Sequence, residues 1–153
     1  RPRLQLAEVV LAVHDGWIHF ASPHAFQEAE YRLRWKTDAP LALPVENLVL
    51  RLVETTAAAP DELDAIAFEP GDPLCMHSRQ GGERVRMPGE AFSRSLKKLY
   101  QERRIAPWLR QSMPLVSLGE QVVWSALLGD FSPRLVDSEG RFYSFKLERD
   151  GQI

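Results

Sequence analysis

Along this chain hydrophobic positions recur at two spacings, and the spacing assigns most of the elements. The run YRLRWK at residues 31–36 sets Tyr31, Leu33 and Trp35 against Arg32, Arg34 and Lys36, the period of two that marks a half-buried strand. Residues 48–53 repeat that pattern around Arg51. Upstream, β-prone runs at 6–13 and 17–21 flank His14-Asp15-Gly16, and an Asp-Gly pair supplies the positive φ angles of a tight hairpin turn. Residues 22–30 read as a polar loop or one helical turn, and Pro60 with its acidic neighbours breaks the chain before a short apolar stretch at 65–68. Residues 74–77 read as a strand leading through Gly81-Gly82 into 83–87; LVSLGEQVVWSALL reads as a hairpin across Gly119-Glu120, and FYSFKLE as a last strand.

One segment carries the helical period. Leu96, Leu99 and Tyr100 recur at spacings of three and four and form one apolar stripe, with Ser93 or Ser95 placed to cap the N-terminus. At about 100° per residue, Arg94, Lys97, Lys98 and Gln101 fall on the other side. Pro107 stops this helix, and Trp108-Leu109-Arg110 reads as a short helical turn ahead of Pro114. The expected class is mainly β, of α+β type, with one main helix. A composition shift at residues 70–73 places a boundary between a β-rich segment, 1–72, and a second unit, 73–153.

Charge sharpens the picture. The net charge of −2 hides a basic island: residues 1–77 carry 6 basic and 12 acidic side chains, residues 78–110 carry 9 and 3, and residues 111–153 carry 4 and 6. Such an island in an acidic chain leaves one face attractive to a polyanion, although a merely solvated helix face is the commoner reason for a charge run. Arg79, Arg84 and Arg86 surround the Gly-Gly turn, Arg94, Lys97 and Lys98 lie on the helix, and Arg103, Arg104 and Arg110 lie about its exit. Cations of this kind position a sugar-phosphate backbone without reading its sequence. Trp108 has two readings, a stacking platform for a base or a wedge that pins the turn into the core, the latter being the commoner fate of such a residue.

Catalytic chemistry finds no home. Gly81-Gly82 lacks the following residues of a phosphate-binding loop, and Cys75 and His77 stand without the further ligands that zinc needs, as do His14, His19 and His24. Cys75 reads as a small buried hydrophobe, and Asp61-Glu62 as a solvated turn. No catalytic and no metal residues are assigned. The absence of a long apolar run argues against a membrane span, and one cysteine fits a reducing compartment, so a cytoplasmic location is expected. Arg1 in place of an initiator methionine reads as a chain cut from something longer.

Residues 96–123, LKKLYQERRIAPWLRQSMPLVSLGEQVV, preceded by RQGGERVR at 79–86, resemble the C-terminal domain of the bacterial tRNA(Ile)-lysidine synthases. The resemblance lies in a Gly-Gly-Glu-Arg turn, a Leu-Lys-Lys helix, Gln-Glu, a Pro-Trp-Leu-Arg box and a Pro-Leu strand, in that order, and covers residues 74–130. Residues 1–70 more weakly resemble the β-rich segment before that domain, with a Leu-Pro corner at 41–44. Ala106 stands where the family has proline, and the likeness drifts after Leu128. The family is an ATP-dependent ligase that joins lysine to the wobble cytidine of an isoleucine tRNA with anticodon CAU. Its Ser-Gly-Gly-x-Asp-Ser pyrophosphate loop does not occur in these 153 residues. The resemblance therefore implies a noncatalytic part: a β-sandwich-like domain, related to a module of phenylalanyl-tRNA synthetase, that contacts the tRNA acceptor region. It implies ATP with Mg in an N-terminal catalytic domain, that domain as a partner, no membrane, and room for a homodimer. The residues of the basic island and the box expected to meet that RNA are Arg79, Arg84, Arg86, Arg94, Lys97, Lys98, Arg104, Trp108 and Arg110. The competing expectation is a structural domain whose basic face docks on its own enzyme or on a protein partner.

Overall fold

The computed structural model describes residues 3–6, 9–14, 17–21, 30–43, 48–56 and 64–149. Their elements run β1 (Arg3–Leu6), β2 (Val9–His14), β3 (Trp17–Ala21), β4 (Arg32–Lys36), β5 (Leu41–Ala42), β6 (Leu48–Thr55), β7 (Ala65–Ala67), β8 (Pro73–His77), β9 (Arg84–Val85), β10 (Arg94–Ser95), α1 (Leu96–Glu102), α2 (Pro107–Ser112), β11 (Leu115–Leu118), β12 (Gln121–Ser125), β13 (Gly129–Asp130), β14 (Arg134–Val136) and β15 (Phe142–Arg149). β1, β2 and β3 form a meander in that order, and β9 pairs with β10 as a short ribbon. Two five-stranded sheets make up the body, one ordered β13-β12-β11-β8-β4 and the other β5-β6-β15-β14-β7.

The two large sheets share a core. Trp35, Leu74, Met76, Val116 and Trp124 from the first sheet meet Leu50, Leu135, Tyr143 and Phe145 from the second in one buried cluster. At its centre the Phe145 ring lies 5.7 Å from that of Trp35 and 5.5 Å from that of Trp124, both tilted, the arrangement that aromatic quadrupoles favour over a flat stack. The opposite face of the first sheet is covered as well. Leu115, Val122 and Phe131 pack there against Leu96, Leu99 and Tyr100 of α1 and Val85 of the ribbon. Leu115 and Val122 serve the helix side while Val116, Val123 and Trp124 serve the sandwich side; the alternation of a regular strand is broken on β12, where its pairing with β11 shifts register between Val116 and Ser117. The result is a three-layer, mainly β architecture, as the strand-rich pattern leads one to expect.

Several expectations are refined. The turn around Trp108 is a helix in its own right, α2, with Pro107 at its start where the missing N–H costs nothing. The run at 6–13 is divided between β1 and β2. The Asp15-Gly16 turn, the 22–29 loop with His24, and Asp61-Glu62 lie outside the described residues, although His14 pairs with Trp17 as a hairpin there requires.

Strands pair across the 72/73 division. β4 pairs antiparallel with β8, from Arg32 opposite His77 to Lys36 opposite Pro73; β6 pairs with β15 from Thr55 opposite Phe142 to Leu48 opposite Arg149; and β7 pairs in parallel with β14. The composition shift marks a tight turn, closed by Asp72 N–H donating to the Glu69 carbonyl at 2.8 Å and Glu69 N–H donating to the Asp72 carboxylate at 2.8 Å. Composition registers such a turn as a boundary because it is blind to pairing between distant strands.

Between β14 and β15 an acidic side chain organises the turn. The enclosed Asp137 carboxylate accepts from the Glu139 and Arg141 amides, both at 2.9 Å, from Arg141 Nε at 2.8 Å and from the Tyr143 hydroxyl at 2.9 Å. Burial by itself pushes this carboxyl up, but the four donors together outweigh it and hold the group down to about 2.

Two outcomes follow from this architecture. A chain cut to residues 73–153 lacks β4, β6 and β7, and is expected to show no cooperative unfolding transition by circular dichroism where the full chain shows one; a cooperative transition in the cut chain would restore the 72/73 boundary. The depressed Asp137 carboxyl stabilises the fold fully above its ordinary value of 3.8, and that stability is lost as the unfolded chain takes up the proton between 3.8 and about 2. Urea midpoints of the native chain and Asp137→Asn should therefore converge as pH falls through that window, with the native chain the more stable above it.

Candidate nucleic-acid interface

The candidate surface is built on α1, and α1 begins with a cap. Ser95, extended at φ −64 and ψ 126, accepts the Lys98 N–H at 3.4 Å, which satisfies one of the donors a helix start leaves open. Leu96, Leu99 and Tyr100 then enter the core, and the Tyr100 hydroxyl meets Ser125 Oγ at 2.8 Å; burial raises this phenol above its ordinary range. With that stripe fixed inward, Lys97, Lys98 and Gln101 stand exposed. Among the described residues neither lysine makes an ion pair.

The arginines behave differently. Arg94 lies in β10 and is half-buried, paired with Glu102 and, at 3.8 Å, with Glu90; its hydrogen bond with Glu102 raises its pKa. Arg86 pairs with Asp64, a carboxylate from the acidic first half, and its Nη1 donates to the Glu90 carbonyl at 3.2 Å. Arg84 is exposed, yet its Nε and Nη2 donate to Ser93 Oγ at 3.3 Å and the Ser93 carbonyl at 3.0 Å. Arg79 is half-buried, with an enclosed Nε that meets no acceptor among the described residues.

The Gly-Gly turn is not an open anion cradle. The Glu83 carboxylate fills it, accepting the Gln80 amide at 2.6 Å and the Gly81 amide at 2.9 Å. Gly81 and Gly82 hold φ values of 97 and 79, where a β-carbon would be strained, so the two glycines serve the turn itself. Beyond α1, Arg103 and Arg104 are exposed, while Trp108 and Arg110 on α2 are half-buried, with Arg110 Nε donating to the Ile105 carbonyl at 2.7 Å.

The structure thus joins the ribbon and α1 into one continuous feature: Leu96 N–H donates to the Glu83 carbonyl at 3.0 Å, and β10 runs directly into the helix. It leaves Lys97 and Lys98 facing water and gives Arg84, Arg86 and Arg94 contacts within the protein. A residue that patterning passed over also belongs here. Phe92, in the loop between β9 and β10, is the large hydrophobic side chain left exposed among the described residues. The available signal was a lone aromatic outside any periodicity, inside a Pro, Gly and Ser loop.

His77 is buried, its Nδ1 donating to the Ser78 carbonyl at 2.9 Å and its Nε2 hydrogen-bonded with Ser117 Oγ at 2.7 Å, so both ring nitrogens are spent on the fold. Among the described residues no group of three or more His, Cys, Asp or Glu is placed to hold a metal ion. No described helix is long and apolar enough to cross a membrane.

Fold and surface together define a β-rich module with a lysine-bearing helix on its outer layer. Comparison with known proteins makes this particular: residues 74–130 match the family described as the TilS substrate C-terminal domain, and the chain is similar to the C-terminal region of tRNA(Ile)-lysidine synthase. It is 51% identical over 89 residues to the tRNA(Ile)-lysidine synthase of Xylella fastidiosa strain 9a5c, an alignment covering 58% of this chain and 18% of that protein. It is 31% identical over 116 residues to the synthase of Nitrosomonas europaea, covering 76% of this chain and 24% of that one. The alignments with these curated relatives span about a fifth to a quarter of their length. Among solved structures, the crystal structure of a TILS C-terminal domain superposes with a TM-score of 0.50 at 18% identity, over 80% of this chain and all of that one, and shows the same fold.

Loss of the α1 cap offers a check on how this surface is held. Ser95→Ala is expected to destabilise the chain by about 1 kcal/mol, read from chemical denaturation. An unchanged midpoint would mean that burial of Leu96 and Leu99 sets the helix start without the cap.

Proposed function

We propose that this chain is the noncatalytic tRNA-binding part of a tRNA(Ile)-lysidine synthase, and that it grips the acceptor region of the tRNA while a separate N-terminal catalytic domain, with ATP and Mg, modifies the anticodon. The observation that carries this reading is the outward pair Lys97-Lys98 on α1, inside the segment that matches the family and with no carboxylate partner among the described residues. Lysine is a compact, hydrated charge, suited to meeting a phosphate in water without a fixed geometry. The parent protein works in the cytoplasm on this reading, where isoleucine tRNA is found. The nearby arginines contribute mainly by holding the ribbon and the helix start in place.

The alternative, a domain that docks on protein, makes a different forecast, because RNA contacts through phosphates weaken with salt in proportion to their number. Lys97→Glu with Lys98→Glu is expected to weaken binding of isoleucine tRNA at least ten-fold and to flatten the dependence of log affinity on log salt by about 1.5. Filter binding at two salt concentrations reads both quantities. Equal affinities of the native and double-variant chains would remove tRNA from this face and leave the docking alternative.

A further inference from the structure

Phe92 is 82% exposed, the large hydrophobic side chain that the fold leaves in solvent among the described residues. A single exposed apolar residue is ordinary. The setting of this one is not, because the loop that carries it is tied down on both sides of the ring. Before it, Arg86 Nη1 donates to the Glu90 carbonyl at 3.2 Å, Arg94 pairs with the Glu90 carboxylate at 3.8 Å, and the Glu90 amide closes a turn onto the Met87 carbonyl at 3.0 Å. After it, Arg84 donates twice to Ser93, at 3.3 and 3.0 Å. Three arginines therefore hold a loop whose apical aromatic makes no core contact. A ring presented on a fixed loop loses little conformational freedom when it meets a ligand, which is how a binding surface uses an aromatic anchor.

The surroundings say which ligand. Residues 83–104 carry seven basic and three acidic side chains, the Arg84 guanidinium lies against the residue next to Phe92, and β10 leads into α1 with Lys97 and Lys98 in water. A ring among cations suits an unpaired nucleobase, whose face stacks on the aromatic while its phosphates meet the charges. A protein partner would call for a broader apolar patch, and Phe92 has no large exposed apolar neighbour among the described residues.

We infer that Phe92 is a stacking platform for an unpaired nucleobase, presented by the Arg84, Arg86 and Arg94 buttress beside the phosphate contacts of Lys97 and Lys98. The inference rests on the RNA-binding reading above, and the two fail separately. Binding of the full chain is measured to a blunt RNA hairpin and to the same hairpin with a short unpaired 3′ extension. Phe92→Ala is expected to weaken the extended probe about five-fold or more, to leave the blunt probe and the salt slope unchanged, and Phe92→Trp to retain the native affinity. If Phe92→Ala binds the extended probe like the native chain, or loses both probes equally, stacking is overturned. If in that same series Lys97→Glu with Lys98→Glu still weakens both probes, the RNA reading survives without the ring; if it weakens neither, both fall. Loss of association with a catalytic domain in Phe92→Ala, at unchanged RNA affinity, would assign the ring to protein instead.

Discussion

The structure depends on one sheet being buried on both faces. β11 and β12 put Val116, Val123 and Trp124 into the sandwich and Leu115 and Val122 under α1, and Leu115 and Val116 are left with no accessible surface. A strand in that position cannot slip by a residue, because a slip would exchange the two sets of side chains between cores of different shape. α1 inherits this constraint. Once Leu96, Leu99 and Tyr100 are seated over Leu115 and Val122, the outward direction of Lys97 and Lys98 is settled, so the charge of the surface is oriented by the packing beneath it.

What was legible in the sequence is what short-range periodicity encodes. The alternation in YRLRWK, the stripe of Leu96, Leu99 and Tyr100, and the hairpin about Gly119-Glu120 each became the element their spacing implies. Pairing across the chain was not legible, since nothing local in residues 48–55 names β15 as their partner, and nothing in 65–67 announces a parallel edge beside β14. Composition therefore places a boundary at a turn rich in Pro, Gly and Asp without registering the strands that pair across it. The resemblance carried by the Pro-Trp-Leu-Arg box supplied the family, which periodicity could not.

The candidate surface was legible in part, and its residues show where charge counting stops. A count of cations treats every arginine as available, yet Arg86 meets Asp64 from a segment far away in sequence, and Arg94 meets Glu90 and Glu102. Arginine is the residue drawn into such roles because its planar fork can serve a carboxylate and a backbone carbonyl at once, as Arg86 does. Lysine, more strongly hydrated and less suited to a fixed geometry, is left outside.

The same division explains how an acidic chain can still present a local positive face. Carboxylates near the island are spent on the arginines that shape it: Glu90 and Glu102 on Arg94, Asp64 on Arg86, while Glu83 is spent on the amides of its own turn. Each such pair cancels most of its own field within a Debye length, roughly 10 Å at moderate salt. The charge that remains to be felt from solution is that of the side chains with no carboxylate partner among the described residues, and on α1 these are Lys97 and Lys98. Pairing therefore does two things at once: it fixes the ribbon that lifts Phe92 into water, and it neutralises Arg86 and Arg94, so that the exposed positive charge there is that of Lys97 and Lys98 with Arg84 and Arg103 beside them.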